Sequence, residues 1–531
     1  MDKTKQQKIK DGILAGFMIG IPVLIAITVG IVYWIKTGLF PEPGLKWNDE
    51  AAYLQMIKNC ITSGNPVGYW GFNGNHAIVG TGGAWSPAII WPYAIFAFLF
   101  PITPGFVFFV NLFYITLANV LFYLAVKPEG KYSLRLILTQ ATSAILILYL
   151  SVNMSEIFRY AIAIVIAGLL YRMFFKECAG WIKYVATPLL ILAAVQVYVF
   201  FAFCVPVYVF ALMKGSKLWK KLLAGVGGMG VVALGSYYLL HLISSNYNIH
   251  KTETLLNAVK AMDVTGALVA FLGMVKQGMR EVYLLWTYIY ANPLIPWHIF
   301  FCIALVAVAG ILVFFYFKNK KKDTEEAGAD KKHDAILGGI VLYSIPLFYF
   351  MYMTLYSIEP FTFVRGTQIA VVFSLWLLCM MKNKILYYVV IALQAISLFF
   401  LPANMDTFME NRYQTQEQKE EWAVLEAEFA EVFILDENLG PWANTVCMFT
   451  MEPKPICALP GGFGVNFIMD DGVFPEEAGY LLFSKENPED LNREWVEKSF
   501  AVIYESYGEL LDRNYSVIYE SEDYVVYRKN N

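Results

Sequence analysis

The sequence predicts an all-α polytopic membrane domain followed by a small exoplasmic α/β domain. Hydrophobic residues make up 58% of the 531 residues and charged residues only 16%, against roughly 25% charged in an average soluble domain. Several apolar runs reach the roughly 20 residues that a helix needs to cross a bilayer. Charge is also divided unevenly, because residues 1–402 carry a net charge of +14 and residues 403–531 carry −17. We therefore place the boundary between a membrane domain and a soluble domain at residues 402–403.

Lysine positions set the predicted orientation of the spans. Lysines precede the first apolar run, residues 13–35, which is too long for a signal peptide and lacks a small-residue cleavage site. This run is predicted to be an anchor with a cytoplasmic N-terminus, because positive flanks stay inside. Residues 36–85 then lie outside, and the Lys-rich loop 318–334 lies inside. The alternation gives about eleven transmembrane helices in the cell membrane and an extracellular C-terminal domain. The predicted spans are residues 13–35, 106–126, 134–152, 157–175, two short helices within 184–213 that turn near residues 196–198, 222–243, 298–317, 335–356, 367–381 and 385–401.

The apolar piece at residues 86–101 is compatible with two topologies. It is short, and Pro92 interrupts it. If it crosses the membrane, the basic loop 127–135 falls outside, against the positive-inside rule. If it returns to the outer face as a half-helix, that loop is cytoplasmic. We favour the half-helix.

Alternating residues predict strands in the C-terminal domain. Residues 516–520 and 524–529 flank a short Ser-Glu-Asp turn and predict a β-hairpin. Residues 501–504 predict a further strand before a helical piece at 508–513, and residues 414–432 predict a charged helix. The domain is therefore predicted to be of the α/β type.

The segment WNDEAAY places two adjacent carboxylates just after the first span. Asn48 can cap a helix, and Asp49 and Glu50 then occupy its first turn. Apolar residues at positions 51, 52, 54, 56 and 57 suit a helix that lies along a membrane surface. The two carboxylates either favour the start of this helix or act as a catalytic base and its helper.

With this topology, charges of both signs gather on the outer face. Charges near the bilayer are energetically costly, so such a cluster is a candidate functional site. Carboxylates can deprotonate a hydroxyl nucleophile, and arginines can hold a phosphate through two hydrogen bonds. Besides Asp49 and Glu50, the outer-face candidates are His76, Glu156, Arg159, Lys276, Arg280, Glu281, Glu359 and Arg365.

Four features follow one another along the chain. An acidic motif, Asn48–Glu50, follows the first span, and a Gly/Pro-rich approach, Gly82–Pro87, precedes the next helix. An acid and an arginine within Ser155–Arg159 stand at the outer end of a later span, and Arg365 within Phe363–Gly366 starts an inward helix. This pattern resembles the GT-C superfamily of membrane glycosyltransferases, which includes protein O-mannosyltransferases, aminoarabinose transferases and the catalytic subunits of oligosaccharyltransferases. Where that group often has histidine-proline-proline, this chain has Trp85-Ser86-Pro87, which leaves the substrate class open.

The resemblance implies a sugar donor linked to a polyprenyl phosphate and an acceptor hydroxyl on a glycan, lipid or protein. It implies that Asp49, beside Glu50, is the base that activates the hydroxyl, and that Arg365 neutralises the departing lipid phosphate. Lys276 and Arg280 share a helical face and are further candidates for binding the donor phosphate. The remaining outer-face candidates are His76, Glu156, Arg159 and Glu359.

Each candidate also has a purely structural explanation. Carboxylates in a first helical turn stabilise the helix by roughly 0.3–1 kcal/mol each. Glu156 and Arg159 have the i,i+3 spacing of a local ion pair. Lys276 and Arg280 can bind lipid headgroups instead of a substrate.

Two other functions stay open at this point. A transporter or flippase of a lipid-linked glycan would carry charges deep within its spans and would have related halves, whereas the charges here lie at one face. A catalytically inactive relative would be a scaffold in the assembly of cell-envelope glycans. No metal-ligand spacing of cysteine and histidine is present, so a divalent metal stays open without support from the sequence. Cys447 and Cys457 can form a disulfide if the C-terminal domain is extracellular.

The basic loops predict that the C-terminal domain and the Asp49 segment share the outer side of the membrane, whereas residues 318–334 are cytoplasmic. A single cysteine in the C-terminal domain should react with a membrane-impermeant maleimide in intact cells. A cysteine within residues 318–334 should react only after lysis. The reverse pattern would overturn this topology.

Overall fold

Apolar runs form helices in this chain, because a helix satisfies its own backbone hydrogen bonds where no water is present. The computed structural model describes residues 3–38, 48–63, 86–103, 105–243, 252–319, 325–356, 358, 360–409, 420, 424, 427–434, 445–449, 463–466, 474, 476, 478–485 and 500–530. The α-helices are α1 (Lys3–Thr37), α2 (Asn48–Ser63), α3 (Pro87–Ala97), α4 (Phe106–Val126), α5 (Gly130–Ala141), α6 (Ala144–Tyr149), α7 (Glu156–Phe175), α8 (Thr187–Val197), α9 (Cys204–Leu212), α10 (Leu218–Ile243), α11 (Glu253–Lys260), α12 (Val264–Leu285), α13 (Leu294–Asn319), α14 (Glu325–Leu355), α15 (Pro360–Leu378), α16 (Lys384–Ile396), α17 (Leu401–Met409) and α18 (Phe500–Asn514).

Among the described residues, eight helical stretches are long and apolar enough to cross a membrane. They are α1, α4, α7, α10, α13, α14, α15 and the continuous stretch 384–406. Shorter apolar helical stretches cover residues 87–97, 182–197 and 199–212. The predicted polytopic helical domain is therefore confirmed, whereas the count of about eleven crossings stays a prediction.

Helix α3 corresponds to the apolar piece with two compatible topologies. Ser86 caps it by accepting a hydrogen bond from the backbone N–H of Ala88 at 3.2 Å, and Pro87 occupies the first turn, where no N–H is needed. The helix has 11 residues and is therefore about 16 Å long, about half of a 30 Å bilayer core. Its length fits a half-helix, and its return to the outer face stays a prediction.

Two predicted spans are interrupted in the structure. Residues 134–141 belong to α5 and residues 144–149 to α6, and the two helices are separated at Thr142 and Ser143. Ser143 caps α6 by accepting a hydrogen bond from the backbone N–H of Leu146 at 3.4 Å. Within residues 184–213 the helix breaks at Tyr198, between α8 and a 3-10 segment. The break lies where the turn was predicted, near residues 196–198, and the reversal of the chain on the outer side stays a prediction.

Helices α7 and α15 are the most deeply buried of the candidate spans. They pack against each other, and α7 also packs along α4. A Cβ atom on Gly168 of α7 would lie 3.2 Å from the Cα atom of Phe122 on α4, so the two backbones approach closely. Helices α13 and α14 form a second tightly packed pair. The core of the membrane domain is therefore built around α7 and α15.

The C-terminal region contains a five-stranded sheet. Its strands are β1 (Thr445–Phe449), β2 (Phe463–Asn466), β3 (Tyr480–Ser484), β4 (Tyr515–Glu520) and β5 (Tyr524–Lys529). The order across the sheet is β2-β1-β3-β5-β4, with β1 parallel to β2 and β3, and β5 antiparallel to β3 and β4. Apolar side chains pack on both faces, with α18 on one and residues 427–434 on the other. The predicted α/β type and the predicted hairpin of β4 and β5 are confirmed.

The predicted strand at residues 501–504 is wrong, because these residues belong to α18. Ile503, Gly508 and Leu511 are buried and lie on one side of this helix. The apolar run at residues 501–504 is short enough to fit either a strand or a helix. Only the spacing from Ile503 to Leu511, which places both residues on one side of a helix, indicates a helix.

Cys447 is buried on β1, while Cys457 is outside the part of the chain that the structure describes, so their pairing stays a prediction. The predicted domain boundary at residues 402–403 falls within α17.

Helix α2 is buried within the protein, which corrects the prediction that it lies along the membrane surface. Tyr53, Leu54, Met56 and Ile57 are each no more than 2% exposed. Helix α3 and strand β2 of the C-terminal sheet both pack on α2. The apolar positions of α2 therefore face protein rather than lipid. The sequence could not indicate this, because the partner strand is far along the chain.

Two neighbouring glycines of α14 give a matched test of the packing between α13 and α14. A Cβ atom on Gly338 would lie 2.7 Å from the carbonyl oxygen of Ala309, whereas a Cβ atom on Gly339 would have no neighbouring atom within 4 Å. We expect Gly338→Ala to lower the free energy of unfolding by about 1–3 kcal/mol, because the helices must move apart. Gly339→Ala should be neutral or stabilising by up to about 1 kcal/mol.

Detergent titration of the purified protein, followed by tryptophan fluorescence, measures both changes. Equal stability of the two variants would contradict the close approach of α13 and α14.

Candidate functional site

The site is built on a polar segment, residues 151–156, that joins α6 to the start of α7. Ser151, Asn153, Ser155 and Glu156 are all buried within an otherwise apolar domain. Such polar groups are enclosed at little cost only when they form hydrogen bonds or ion pairs. Their partners come from α2, α4, α7 and α15, so this segment is where four parts of the chain meet.

Glu50 links α2 to this segment. Its side chain is fully buried, and its Oε1 atom accepts a hydrogen bond from the backbone N–H of Asn153 at 2.8 Å. The side chain of Asn153 in turn accepts a hydrogen bond from the backbone N–H of Phe108 on α4 at 2.9 Å. Glu50 therefore fixes the start of α2 against α4 and α7.

Tyr53 makes a second link one helical turn further along α2. Ser155 donates a hydrogen bond to the Tyr53 hydroxyl at 2.8 Å. Arg159 of α7 donates to the same hydroxyl at 3.4 Å and to the Ser155 hydroxyl at 3.3 Å. The guanidinium of Arg159 also lies 4.6 Å from the ring centre of Tyr198, within the range of a cation–π interaction. Arg159 is therefore held on several sides.

The carboxylate of Glu156 lies between two arginines. Its Oε1 atom is 3.6 Å from a terminal guanidinium nitrogen of Arg159 and 3.7 Å from Nε of Arg365 on α15. The side chains of Glu156 and Arg159 are 2% and 8% exposed, whereas that of Arg365 is 20% exposed. Tyr160 donates a hydrogen bond to the carbonyl oxygen of Arg365 at 2.9 Å. Arg365 is thus the charged group of this cluster that can reach a ligand.

Helix geometry adds to the electrostatics of this cluster. Glu156 is the first residue of α7, where the partial positive charge of a helix N-terminus stabilises a carboxylate. Within the described part of the chain, the second carboxylate oxygen of Glu156 and Nε of Arg159 have no hydrogen-bond partner. The second oxygen of Glu156 can therefore accept a further hydrogen bond, and Nε of Arg159 can donate one.

The structure brings together part of the predicted set. Glu50, Glu156, Arg159 and Arg365 all lie in contact with the segment 151–156 or with each other. Asp49 is on α2 next to Glu50, although its side chain is not described. Lys276 and Arg280 are exposed on α12, and neither takes part in the ion pairs of Glu156 described above. His76 and Glu359 fall in stretches that the structure leaves undescribed. The assignment of all these residues to a catalytic site stays a prediction.

Sequence reasoning missed several residues of the cluster. Tyr53 and Asn153 are neutral, so the charge-based selection did not include them. The spacing of Tyr53, three residues after Glu50 on the same helix, was a usable signal, because such residues share a helix face. Tyr198 lies where α8 ends, and the predicted turn there gave no indication of its contact with Arg159.

The described residues contain no group of three or more His, Cys, Asp or Glu side chains placed to hold a metal ion. The cluster offers two guanidinium groups, one buried and one partly exposed, with carboxylates nearby. Guanidinium groups bind phosphate through charge-assisted hydrogen bonds, and carboxylates accept protons. This combination suits the transfer of a group from a phosphate to a hydroxyl.

Removing the shared carboxylate should be costly. Glu156→Gln would leave two guanidinium groups close together without their counter-ion, and we expect the free energy of unfolding to fall by about 3–5 kcal/mol. The control is Glu129→Gln in the loop before α5, where an exposed carboxylate lies 2.8 Å from Lys131. Hydrogen bonding from Lys131 lowers the pKa of Glu129, but such an exposed pair contributes at most about 1 kcal/mol. Detergent titration of both variants measures the difference, and equal effects would contradict the role of Glu156.

No protein-family model and no curated protein sequence matches this chain. Two solved structures similar to it are ArnT from Cupriavidus metallidurans bound to undecaprenyl phosphate and the oligosaccharyltransferase AglB from Archaeoglobus fulgidus in complex with an inhibitory peptide and a dolichol-phosphate. The ArnT match has 12% identity and a TM-score of 0.39, and it covers 95% of this chain and 97% of ArnT. The AglB match has 11% identity and a TM-score of 0.47, and it covers 95% of this chain and 72% of AglB. Similarities at this level assign neither an activity nor a binding site to the chain.

Proposed function

We propose that this protein is an integral membrane glycosyltransferase that moves a sugar from a polyprenyl-phosphate donor to an acceptor hydroxyl on the outer face of the cell membrane. The observation that supports this most directly is the position of Arg365. It is the partly exposed member of a buried ion cluster, and hydrogen bonds join that cluster to the helix that carries Asp49 and Glu50. The proposed phosphate-binding cation and the acidic motif are therefore connected through one set of contacts.

In the proposed reaction, the acceptor oxygen attacks the anomeric carbon of the donor sugar. The bond between that carbon and the phosphate oxygen breaks, and the polyprenyl phosphate leaves with the electron pair. The proton of the acceptor hydroxyl passes to Asp49, and the configuration at the anomeric carbon is inverted. Arg365 stabilises the negative charge that develops on the leaving phosphate.

The two carboxylates of the acidic motif have different roles in this proposal. Glu50 is fully buried and accepts a hydrogen bond from the backbone of Asn153. A carboxylate with that environment is suited to holding α2 in place rather than to reaching a substrate. Asp49 is therefore the proposed base, and Glu50 orients the start of the helix. We propose no cofactor or metal for the reaction.

The proposed topology follows from the basic loops, with a cytoplasmic N-terminus and an extracellular C-terminal domain. The ionic groups described above lie together at the N-terminal ends of α7 and α15. A transporter of a lipid-linked glycan, the alternative function, needs polar groups distributed along a path through the spans. The clustering of the charges favours a transferase.

The test is the release of polyprenyl phosphate by the purified, reconstituted protein. A panel of polyprenyl-phosphate sugars serves as donors, and a membrane extract supplies acceptors. Asp49→Asn keeps the size of the side chain but removes the base, and we expect turnover to fall by about 10²–10⁴-fold while donor binding persists.

Arg365→Ala should instead weaken donor binding, and Arg365→Lys should restore it only in part, because lysine lacks the planar fork.

Asp263→Asn is the matched control. Asp263 caps α12 by accepting a hydrogen bond from the backbone N–H of Gly266 at 2.8 Å, and asparagine caps a helix about as well as aspartate. This variant should retain full turnover. Full turnover by a well-expressed Asp49→Asn protein would remove the catalytic base, and unchanged donor affinity in Arg365→Ala would remove the phosphate site.

A further inference from the structure

Helix α12 differs from the spans around it in how it meets the membrane domain. It does not belong to the eight described stretches that are long and apolar enough to cross a membrane. It touches α14 close to the end of that helix, where a Cβ atom on Gly278 would overlap the carbonyl oxygen of Met353. Towards the N-terminal ends of both helices, the ring of Phe271 lies 6.1 Å from the ring of Phe350. Both contacts lie near the C-terminal end of α14.

The side chains of α12 divide into three sectors, since successive residues of a helix are about 100° apart. The buried residues Met274, Gly278 and Leu285 form the sector that docks on the membrane domain. A second sector is apolar and exposed, with side chains that are between 55% and 81% exposed. It contains Val264, Leu268, Leu272, Met279 and Tyr283.

The third sector contains the cations Lys276 and Arg280, which are exposed and lie next to the apolar sector on the helix surface. The exposed apolar residues Val269 and Leu284 lie in the same sector. Directly after the helix, Trp286, Tyr288 and Tyr290 are exposed as well. Apolar, cationic and aromatic residues in this order are typical of a helix that lies in a membrane interface, with cations at the headgroups and aromatic rings at the boundary.

We infer that α12 is a membrane-surface helix that inserts its apolar sector into the leaflet around the candidate site and places Lys276 and Arg280 among lipid headgroup phosphates. The lipid bilayer is the occupant that fits best, because the exposed apolar sector lies beside cations whose charge matches that of the headgroup phosphates. A water-exposed helix would gain nothing from five large apolar side chains on one sector. The inference does not depend on the proposed glycosyl transfer.

This helix is also connected to the candidate site. Glu281 of α12 accepts a hydrogen bond from the backbone N–H of Ile358 at 3.1 Å and another from Gln277 at 3.0 Å. Ile358 belongs to the short link before α15, the helix that carries Arg365. A lipid-bound α12 therefore holds the start of α15 at a defined depth in the membrane.

Nitroxide labels on the full chain test the inference. The background is Cys178→Ser/Cys457→Ser, because the other five cysteines are buried. Labels are placed at Leu268→Cys, Leu272→Cys and Arg280→Cys, and the protein is reconstituted in vesicles of phosphatidylcholine and phosphatidylglycerol. Two reference sites are Ile303→Cys, on the exposed surface of the span α13, and Val517→Cys, an exposed apolar residue of strand β4 in the C-terminal domain.

Labels at Leu268 and Leu272 should collide with oxygen as often as the label at Ile303 and should be equally shielded from a water-soluble nickel chelate. The label at Arg280 should be less shielded from nickel, as expected at headgroup depth. Nickel access at Leu268 equal to that at Val517 would show that α12 faces water. Shielding of Leu268 from both reagents would show that a protein partner covers the helix, and full shielding at Arg280 would show that α12 crosses the membrane. Each of these three results would overturn the inference.

Discussion

The shared carboxylate of Glu156 is the interaction on which the arrangement of the site depends. An ion transferred from water to a protein interior loses several kcal/mol of hydration free energy, and Glu156 is almost completely enclosed. This cost is offset only while the guanidinium groups of Arg159 and Arg365 both stay within 4 Å of the carboxylate. Because Arg365 comes from α15, far along the chain from α7, the ion cluster fixes how the N-terminal ends of these two central helices meet.

The same short segment fixes a third element. Residues 151–156 supply the backbone N–H that binds Glu50 and the hydroxyl that binds Tyr53. These two contacts are one turn apart on α2, so together they set both the rotation and the depth of that helix. The run of serine and asparagine before α7 is therefore explained by what it binds, since unpaired polar groups would be costly inside an apolar domain. The acidic motif and the cation cluster are consequently positioned by one set of contacts.

Much of the fold and part of the site could be predicted from the sequence. Long apolar runs predict helices because a bilayer allows few other structures, and a cluster of charges at helix ends led to Glu156, Arg159 and Arg365. Neutral partners such as Tyr53 and Asn153 carry no comparable signal, because their importance comes from burial and from distant partners. The burial of α2 could not be predicted for the same reason. The strand predicted at residues 501–504 is wrong because a run of four apolar residues fits a strand or a helix equally well.

Helix α2 shows why the two domains depend on each other. It lacks the long apolar run that would hold it in the bilayer, and its sequence alone resembles a surface helix. Its buried side chains, among them Met56 and Ile57, are instead covered by protein, and both α3 and strand β2 pack on this helix. Loss of the C-terminal sheet would therefore expose apolar surface on the helix that carries Asp49. The position of the acidic motif is thus a property of both domains together.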